Sequence, residues 1–362
     1  MNVADFDFEL PPELIAQEPA ADRGGARLLH VERATGAISH SAVSALPGLL
    51  RPGDLIVVNN TRVFPARLLG TRVPSGGSVE CVLLAPVSAT VSGSVAGSVA
   101  ETVAGSQMWE ALVHPGQKLK VGARMVFSGR LHAEVVEHRP FGRRLVRLWT
   151  EDGSPIDDLV DTIGHIPLPP YIKRDDVAAD RERYQTVFAA SRGSVAAPTA
   201  GLHFTPALLS ALTARGVERA EITLHVGYGT FQPVRVDTVE EHTLEPERYD
   251  IPPQTAEAIN RALDEHRRVI AVGTTTTRTL EWAAQQGGGR ISPGRGATSL
   301  FIYPGFSFQV LGGLLTNFHL PKSSLLMLVS AFAGREPALA AYRDAVANRY
   351  RFYSYGEAML IL

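Results

Sequence analysis

Cysteine is almost absent from this chain, with a single residue, Cys81, among 362. Cys81 has no second cysteine for an internal disulfide, and there is no cysteine cluster for a structural zinc or an iron–sulfur centre. Long apolar runs are also absent, because the longest, Leu325–Ala333, is far shorter than the roughly 20 residues of a membrane-spanning helix. Residues 1–9 lack the apolar segment of a signal peptide. We therefore expect a soluble, cytoplasmic protein.

An excess of one charge sign is absent as well, since 35 basic residues face 37 acidic ones and leave a net charge of −2. This balance excludes a globally basic nucleic-acid-binding protein. The charge is uneven, however: residues 116–147 carry a formal charge of +6, and the rest of the chain carries −8. The positive stretch predicts contact with the backbone of a structured nucleic acid, with a solvated surface as the alternative. Its basic residues are Lys118, Lys120, Arg124, Arg130, Arg139, Arg143, Arg144 and Arg147.

Short strand-like segments separated by Gly/Pro turns fill residues 61–150. This pattern of short strands and turns is typical of a small antiparallel barrel or sandwich. Residues 86–107, rich in Ser, Val, Ala, Thr and Gly, predict a flexible low-complexity loop within it. The predicted strands are Ala66–Arg72, Val79–Ala85, Trp109–His114, Arg124–Phe127, Leu131–Val136 and Arg144–Trp149.

Strands alternate with helices in the remainder of the chain. Thr205 and Pro206 are typical of a helix start, and a second helix is predicted to be capped by Ser323. Between them, the apolar run Val269–Val272 predicts a buried strand, with a helix at Arg278–Ala284 and a further strand near Ser299–Tyr303. The sequence therefore predicts an α/β main domain with a mixed sheet, residues 1–60 and 151–362, interrupted by an inserted small antiparallel β-barrel, residues 61–150.

Three histidines lie in glycine-rich or helix-start segments and are candidate catalytic groups, because imidazole titrates near neutrality. His203 precedes a predicted helix N-terminus, His225 ends a predicted strand before a Gly-x-Gly turn, and His319 precedes the Ser323 cap. A packed or solvated histidine is the alternative at each position. The three histidines lack the spacing and carboxylate partner of a zinc site, so no metal is expected.

Other polar segments are candidate ligand-binding sites. The turn at Gly227, Tyr228 and Gly229 lacks the third glycine of a dinucleotide-binding motif. Residues 241–247 bring together two kinds of group that transfer protons, carboxylates and an imidazole, although a charged surface turn explains them equally well. Four threonines, Thr274, Thr275, Thr276 and Thr277, offer hydroxyls beside helix-start amides, which suits a carboxylate or phosphate. Asn317 accompanies His319 near a further helix start.

Seven blocks distributed along the chain form a recognisable set: FDFELP at 6–11, IAQEP at 15–19, GDLIVVNNTRV at 53–63, GSVAAPTAGLHF at 193–204, LHVGYGTF at 224–231, LTNFHLPKS at 315–323, and residues 351–361. Together they resemble the S-adenosylmethionine:tRNA ribosyltransferase-isomerase family of queuosine biosynthesis. The likeness covers essentially the whole chain, and residues 86–107 are longer than the short turn usual in that family.

The resemblance implies a two-domain cytoplasmic enzyme acting on S-adenosylmethionine and a tRNA with a GUN-type anticodon. The tRNA would carry 7-aminomethyl-7-deazaguanine at the wobble position. S-adenosylmethionine would be a consumed cosubstrate that gives up its ribosyl part, no other cofactor would be needed, and the products would be epoxyqueuosine in tRNA, adenine and methionine. We expect the tRNA contacts at Lys118, Lys120, Arg143, Arg144 and Arg147.

Residue chemistry, rather than the resemblance, supplies the catalytic candidates. Such a reaction needs a base, and His203 ranks first because a following helix N-terminus lowers an imidazole's pKa. His225 and His319 come next. The threonines, Gly227, Tyr228, Gly229 and Asn317 are expected to bind the substrate, and we expect a monomer.

Two other function classes compete with this interpretation. A nonenzymatic RNA-binding module explains the positive stretch but gives the Gly/His segments no role. An S-adenosylmethionine-dependent RNA methyltransferase predicts a glycine-rich nucleotide loop after an early strand, which the sequence lacks.

Overall fold

A computed structural model describes residues 1–87, 105–227, 229 and 234–362. Most of the predicted loop at 86–107, namely residues 88–104, lies outside the described residues, as does Tyr228. In the described part of the chain, no helix is long and apolar enough to cross a membrane.

Seventeen strands and eight α-helices make up the regular structure of the described residues. The strands are β1 (Arg27–Val31), β2 (Ile38–Ala42), β3 (Leu55–Asn59), β4 (Thr61–Val63), β5 (Arg67–Val73), β6 (Ser78–Pro86), β7 (Gln107–His114), β8 (Arg124–Phe127), β9 (Leu131–His138), β10 (Arg143–Thr150), β11 (Ser191–Ser194), β12 (Glu218–Leu224), β13 (Glu247–Ile251), β14 (Val269–Val272), β15 (Gly294–Thr298), β16 (Leu311–Asn317) and β17 (Ala358–Ile361). The helices are α1 (Leu46–Leu49), α2 (Ile156–Ile163), α3 (Asp180–Arg183), α4 (Pro206–Ala214), α5 (Pro253–Asp264), α6 (Thr274–Gln286), α7 (Ser324–Ala333) and α8 (Arg335–Ala347).

The main sheet has nine strands in the order β15-β13-β12-β3-β14-β16-β17-β1-β2. Its centre is parallel, because β12, β3, β14 and β16 pair in parallel with their neighbours in that group. β17 lies between β16 and β1, antiparallel to the first and parallel to the second. The sheet is therefore mixed, as the sequence predicted.

Helices cover both faces of this sheet around β3 and β14, which explains why these two strands are almost entirely apolar. Leu55 and Val57 of β3 pack on the side of α5, α6, α7 and α8. Ile56 and Val58 alternate to the other face and pack with side chains of α1 and α4. Burial on both faces explains why β3 and β14 have no exposed position.

The inserted unit is a closed antiparallel barrel in the order β10-β7-β6-β5-β8-β9. Alternate residues of its strands face a separate core that includes Leu68, Leu83, Phe127 and Val146. Gly70 permits the close pairing of β5 with β8, since a Cβ there would lie 2.2 Å from the Val126 carbonyl oxygen. The predicted barrel is thus confirmed; the division at residues 60 and 150 stays a prediction.

The barrel is inserted at the carboxyl end of β3, the strand at the middle of the parallel group. β4, directly after β3, pairs in parallel with β11 rather than joining the barrel. Ligands of open α/β sheets bind outside the carboxyl ends of the strands. The insertion point therefore places the barrel next to the edge where a site is expected.

Candidate active site at the carboxyl ends of the parallel strands

A cleft that is open to solvent lies at the carboxyl ends of β14 and β16. Three segments that are far apart in sequence meet there: 196–200 before α4, the start of α6, and the end of β16. A second, adjoining lobe shares Leu325 with the first and extends toward the barrel. Parts of two predicted binding segments, Thr274 with Thr275 and Asn317, therefore line one cavity.

Asn317 links this cleft to His203. Its side-chain nitrogen donates to the backbone carbonyl oxygen of Tyr353, 2.8 Å away, which leaves its oxygen facing His203 Nε2 at 3.2 Å. Because the amide oxygen can only accept, His203 Nε2 carries the hydrogen. His203 is thus fixed in one tautomer behind the wall of the cleft.

His203 does not itself line the main cleft but a smaller pocket on the other side, with Arg23 and Tyr355. It is the last residue of a buried 3₁₀ turn, Thr199–His203. Burial is the main cause that lowers the pKa of His203 to about 4, and the positive charges of Arg351 and Arg23 lower it further. The sequence-based reason for a low pKa, the following helix N-terminus, was therefore not the main one.

His319 is the one of the three candidate histidines that lines the cleft. Its Nε2 lies 2.9 Å from the Thr316 hydroxyl, and its backbone N–H donates to the Tyr342 hydroxyl at 3.1 Å. Among the described residues, Nδ1 has no hydrogen-bond partner. Burial lowers the pKa of His319 to about 3, so this imidazole is neutral at physiological pH.

His225 lies at the junction with the barrel. Its Nδ1 is 2.9 Å from the Thr61 hydroxyl, and the ring packs so close to Gly193 that a Cβ there would lie 2.7 Å from the ring. Burial, and then Arg248, lower its pKa. The structure thus separates the three candidate histidines into one in the cleft, one behind it and one at the junction.

The two buried imidazoles make stability depend on pH. In the unfolded chain His203 and His319 bind a proton near pH 6.5, whereas the folded protein resists protonation until about pH 4 and about pH 3. Stability is therefore expected to fall as the pH decreases from about 6.5 toward 4, by on the order of 3 kcal/mol for His203 alone. Urea unfolding at several pH values measures this loss. If the free energy of unfolding of His203→Gln falls as much between pH 6.5 and pH 4 as that of the wild type, His203 is not a source of the pH dependence.

The four threonines divide into two pairs. Thr274 and Thr275 line the cleft, and within the described part of the chain neither hydroxyl has a hydrogen-bond partner. The hydroxyls of Thr276 and Thr277 donate to the carbonyl oxygens four residues earlier, Val272 at 2.8 Å and Gly273 at 3.2 Å. The last two are fully buried, so the structure does not place them where they can bind a ligand.

The threonines lie inside a helix rather than before one, which corrects the predicted start at Arg278. α6 begins at Thr274, and Gly273 precedes it with a φ of +93°, a left-handed conformation that favours glycine. The amides of the first turn of a thirteen-residue helix thus border the cleft at Thr274 and Thr275, where they can hold an anion.

The second lobe has a charged lining. Gly227 and Gly229 border it, and the Gly227 N–H donates to Glu247 at 2.9 Å. Glu247 forms an ion pair with Arg278, both almost completely buried. Glu245 pairs with Arg143 of the barrel, a contact that connects the two parts of the chain. Two of the predicted proton-transfer carboxylates therefore line the cavity, each held by an arginine.

The positive stretch of the barrel is largely neutralised. Arg143 also pairs with Glu110 at 2.9 Å, and Arg147 pairs with Glu134 at 3.0 Å. Arg144 donates only to backbone carbonyls, and Lys118 and Lys120 are exposed; across the described ranges, none of these three has a carboxylate within 4.0 Å. Of the five predicted tRNA contacts, three remain free of ion pairs.

Several residues that line the cleft are not among the predicted site residues, including Arg278, Tyr171 and Tyr353. The sequence does contain an indication for Arg278, which stands among threonines and apolar residues. A charged residue is rarely buried unless it is paired, so its position in such a segment indicates a partner or a site. The tyrosines carried no such signal. The described residues contain no group of three or more His, Cys, Asp or Glu side chains arranged to bind a metal ion.

Comparison with known proteins places this geometry in a family. The model of the family described as queuosine biosynthesis protein matches residues 3–361. The chain belongs to this family. Two relatives named S-adenosylmethionine:tRNA ribosyltransferase-isomerase, from Heliobacterium modesticaldum and Desulfitobacterium hafniense, are 52% and 50% identical, and the alignments cover all of both chains.

A solved structure supports the same membership in the queuosine biosynthesis family. The crystal structure of S-adenosylmethionine tRNA ribosyltransferase from Thermotoga maritima is 36% identical, with a TM-score of 0.53. It matches 99% of this chain and 100% of its own. The resemblance noted in the sequence is therefore confirmed, and it extends over the barrel as well as the α/β part.

Proposed function

We propose that this protein transfers and isomerises the ribosyl part of S-adenosylmethionine onto a tRNA. The full-length match to relatives with that activity in their name carries the proposal. The acceptor is 7-aminomethyl-7-deazaguanine at the wobble position of a GUN-type anticodon, and the products are epoxyqueuosine in tRNA, adenine and methionine. S-adenosylmethionine is consumed as a cosubstrate, without a further cofactor.

The first lobe of the cleft suits S-adenosylmethionine. Its methionine carboxylate fits the amides and hydroxyls at Thr274 and Thr275, where the helix N-terminus favours negative charge. His319 lies in the same lobe. A carboxylate bound near it raises the pKa of the imidazole toward neutrality, which improves it as a base. The second lobe, bordered by the barrel residue Arg143, then receives the tRNA base.

The reaction requires proton transfer at two places. The tRNA amine forms a bond to the anomeric carbon as the bond from that carbon to adenine breaks, and adenine leaves more easily with a ring nitrogen protonated. Removal of a proton from the carbon next to the sulfonium then lets that carbon bond to the anomeric carbon as the bond from the anomeric carbon to the ring oxygen breaks. The freed oxygen displaces methionine as a neutral thioether and forms the epoxide. We assign the base to His319 and a positioning role, through Asn317, to His203.

Adenine release tests the proposed activity directly. The protein is incubated with S-adenosylmethionine and with tRNA that either carries or lacks the aminomethyl precursor, and free adenine is measured. We expect adenine only with the precursor tRNA. A methylated tRNA with S-adenosylhomocysteine would indicate a methyltransferase, and binding without turnover would indicate an RNA-binding module.

Removing the Thr275 hydroxyl should weaken S-adenosylmethionine binding. In Thr275→Ala we expect a roughly tenfold or greater loss of affinity, because a hydrogen bond to a charged group is worth about 1.5–3 kcal/mol. Thr277→Ala is the matched control, since that hydroxyl already donates to Gly273. Calorimetric titration measures both variants. Equal affinities in the two variants would exclude the Thr275 contact.

The three unpaired cations should dominate the salt dependence of tRNA binding. Replacing Lys118, Lys120 and Arg144 with Ala is expected to reduce the slope of log affinity against log salt by about 2–3, because each phosphate contact releases about one counterion. Arg147→Ala should change the slope less, since Glu134 already neutralises Arg147. Filter binding between low and moderate salt measures the slope. A slope unchanged in the triple variant would place tRNA on another surface.

We also propose a cytoplasmic monomer. A tRNA substrate is found in the cytoplasm, and the buried Cys81, the pKa of which burial raises to about 12, suits a reducing compartment.

A further inference from the structure

The connection between β9 and β10 exposes a large aromatic side chain. Phe141 is 71% exposed, the highest exposure of any large apolar side chain in the described residues. Its backbone has φ 58° and ψ 29°, the left-handed region that bulky residues avoid. A conformation of this kind costs on the order of 1 kcal/mol and persists mainly at functional positions. The chain therefore holds an aromatic ring in solvent at a conformational cost.

Cations without ion pairs lie at the same end of the barrel as this connection. Arg144, at the start of β10 and three residues after Phe141, donates to the Gly116 carbonyl oxygen at 3.3 Å. This bond joins the start of β10 to the segment that carries Lys118 and Lys120, both exposed. This end of the barrel therefore carries an exposed ring together with three cations that have no ion pair in the described ranges, which favours an anionic partner.

The strand that follows this connection borders the cleft. Arg143, the first residue of β10 and two residues from Phe141, lines the second lobe with Gly229 and Glu245. Two residues of chain span at most about 7 Å between Cα atoms, even when fully extended. The backbone that carries the ring therefore lies within about 7 Å of the backbone of a residue that lines the lobe which, in the proposed function, receives the tRNA base.

We propose that Phe141 is a stacking platform for an unpaired base of a single-stranded nucleic-acid loop, next to the base that enters the cleft. Exposed aromatic rings among cations bind single strands in this way, because every base has a face that stacks while the cations hold the backbone. Within a duplex each base face is already covered by its neighbours, so a long duplex, with free faces only at its two ends, gains little from the ring. The inference rests on the proposed function, because that function identifies the anionic partner as tRNA.

Three variants of the full-length protein test this platform. Phe141→Asn removes the ring, and asparagine tolerates the left-handed conformation, so the connection keeps its shape. Phe141→Trp keeps an aromatic face and adds fluorescence that stacking quenches. Val177→Asn is the matched control, since Val177 is 53% exposed and lies outside the barrel.

Binding is measured with unmodified tRNA and with a long RNA duplex, in which free base faces occur only at the two ends. For tRNA, we expect a roughly 5- to 100-fold loss of affinity in Phe141→Asn, near wild-type affinity with quenched emission in Phe141→Trp, and no change in Val177→Asn. Duplex affinity should stay unchanged in all three variants. Unchanged tRNA affinity in Phe141→Asn, or an equal loss for tRNA and duplex, would overturn the proposal.

These binding measurements are independent of the adenine assay. If the wild type releases adenine but Phe141→Asn binds tRNA with wild-type affinity, Phe141 does not stack on a base, and the proposed function is unaffected. If the wild type releases no adenine while the ring still contributes to tRNA affinity, the proposed function fails and the platform stands.

Discussion

Replacing His319 with alanine is expected to lower turnover by on the order of 100-fold or more, the usual contribution of a positioned base. His319 is the candidate imidazole that borders the cleft, and its position is fixed by the Thr316 hydroxyl. The variant should still fold, because the contact from Tyr342 is to the backbone N–H of residue 319. Adenine release at saturating substrate measures turnover.

A matched variant separates chemistry from packing in this experiment. His225→Ala also removes a partly buried imidazole that bonds a threonine hydroxyl, but at the junction with the barrel. We expect His225→Ala to retain turnover within a few-fold of the wild type. Near-normal adenine release by a folded His319→Ala protein would move the role of the base to His203, which contacts the cleft wall through Asn317.

Breaking the buried ion pair of the second lobe is expected to have the largest effect on stability. In Arg278→Met the Glu247 carboxylate stays buried, with 6% of its side chain exposed, and loses the guanidinium that neutralises it. Removing one partner of such a pair destabilises by about 3–5 kcal/mol. Urea unfolding followed by circular dichroism measures the free energy of unfolding.

Two further variants test the cause of that loss. Arg278→Met combined with Glu247→Gln removes both charges of the pair and still offers an oxygen to the Gly227 N–H, so we expect part of the stability to return. Arg290→Met breaks an exposed pair with Asp264 and should leave stability unchanged. A loss in Arg278→Met no larger than in Arg290→Met would show that the pair contributes little.

Much of the local structure followed from local signals. Thr205 was predicted as a helix cap, and its hydroxyl accepts from the Leu208 N–H at 3.1 Å at the start of α4. The buried strand Val269–Val272 and the barrel strand Arg124–Phe127 have the predicted bounds. Caps and apolar runs act within a few residues, so they are visible in the sequence.

The errors arose where distant contacts decide the structure. The predicted strand at Ser299–Tyr303 is wrong; the strand is Gly294–Thr298, which contains two glycines and forms because it pairs with β13. The start of α6 was missed because β-branched threonines have low helix propensity, which burial in the core overrides.

Contacts between residues far apart in sequence also decided which predictions of site residues failed. His203 was ranked first because of its neighbours in sequence, whereas its position depends on Asn317, 114 residues away. Which histidine lines the cleft depends on how the carboxyl ends of β14 and β16 meet the segment before α4. This arrangement depends on the order of the strands in the sheet, which cannot be predicted from the residues next to each histidine.

The position of β17 has a consequence for the timing of folding. The ribosome makes this strand after every other strand of the main sheet, yet it lies between β16 and β1. Until it emerges, both neighbours present unpaired backbone edges, which favour association between chains. The barrel can close long before, since its strands are complete at Thr150. A nascent chain is therefore expected to hold a finished barrel beside an open sheet, and Tyr353 and Ser354, which line the cleft, emerge only shortly before the strand that closes the gap between β16 and β1.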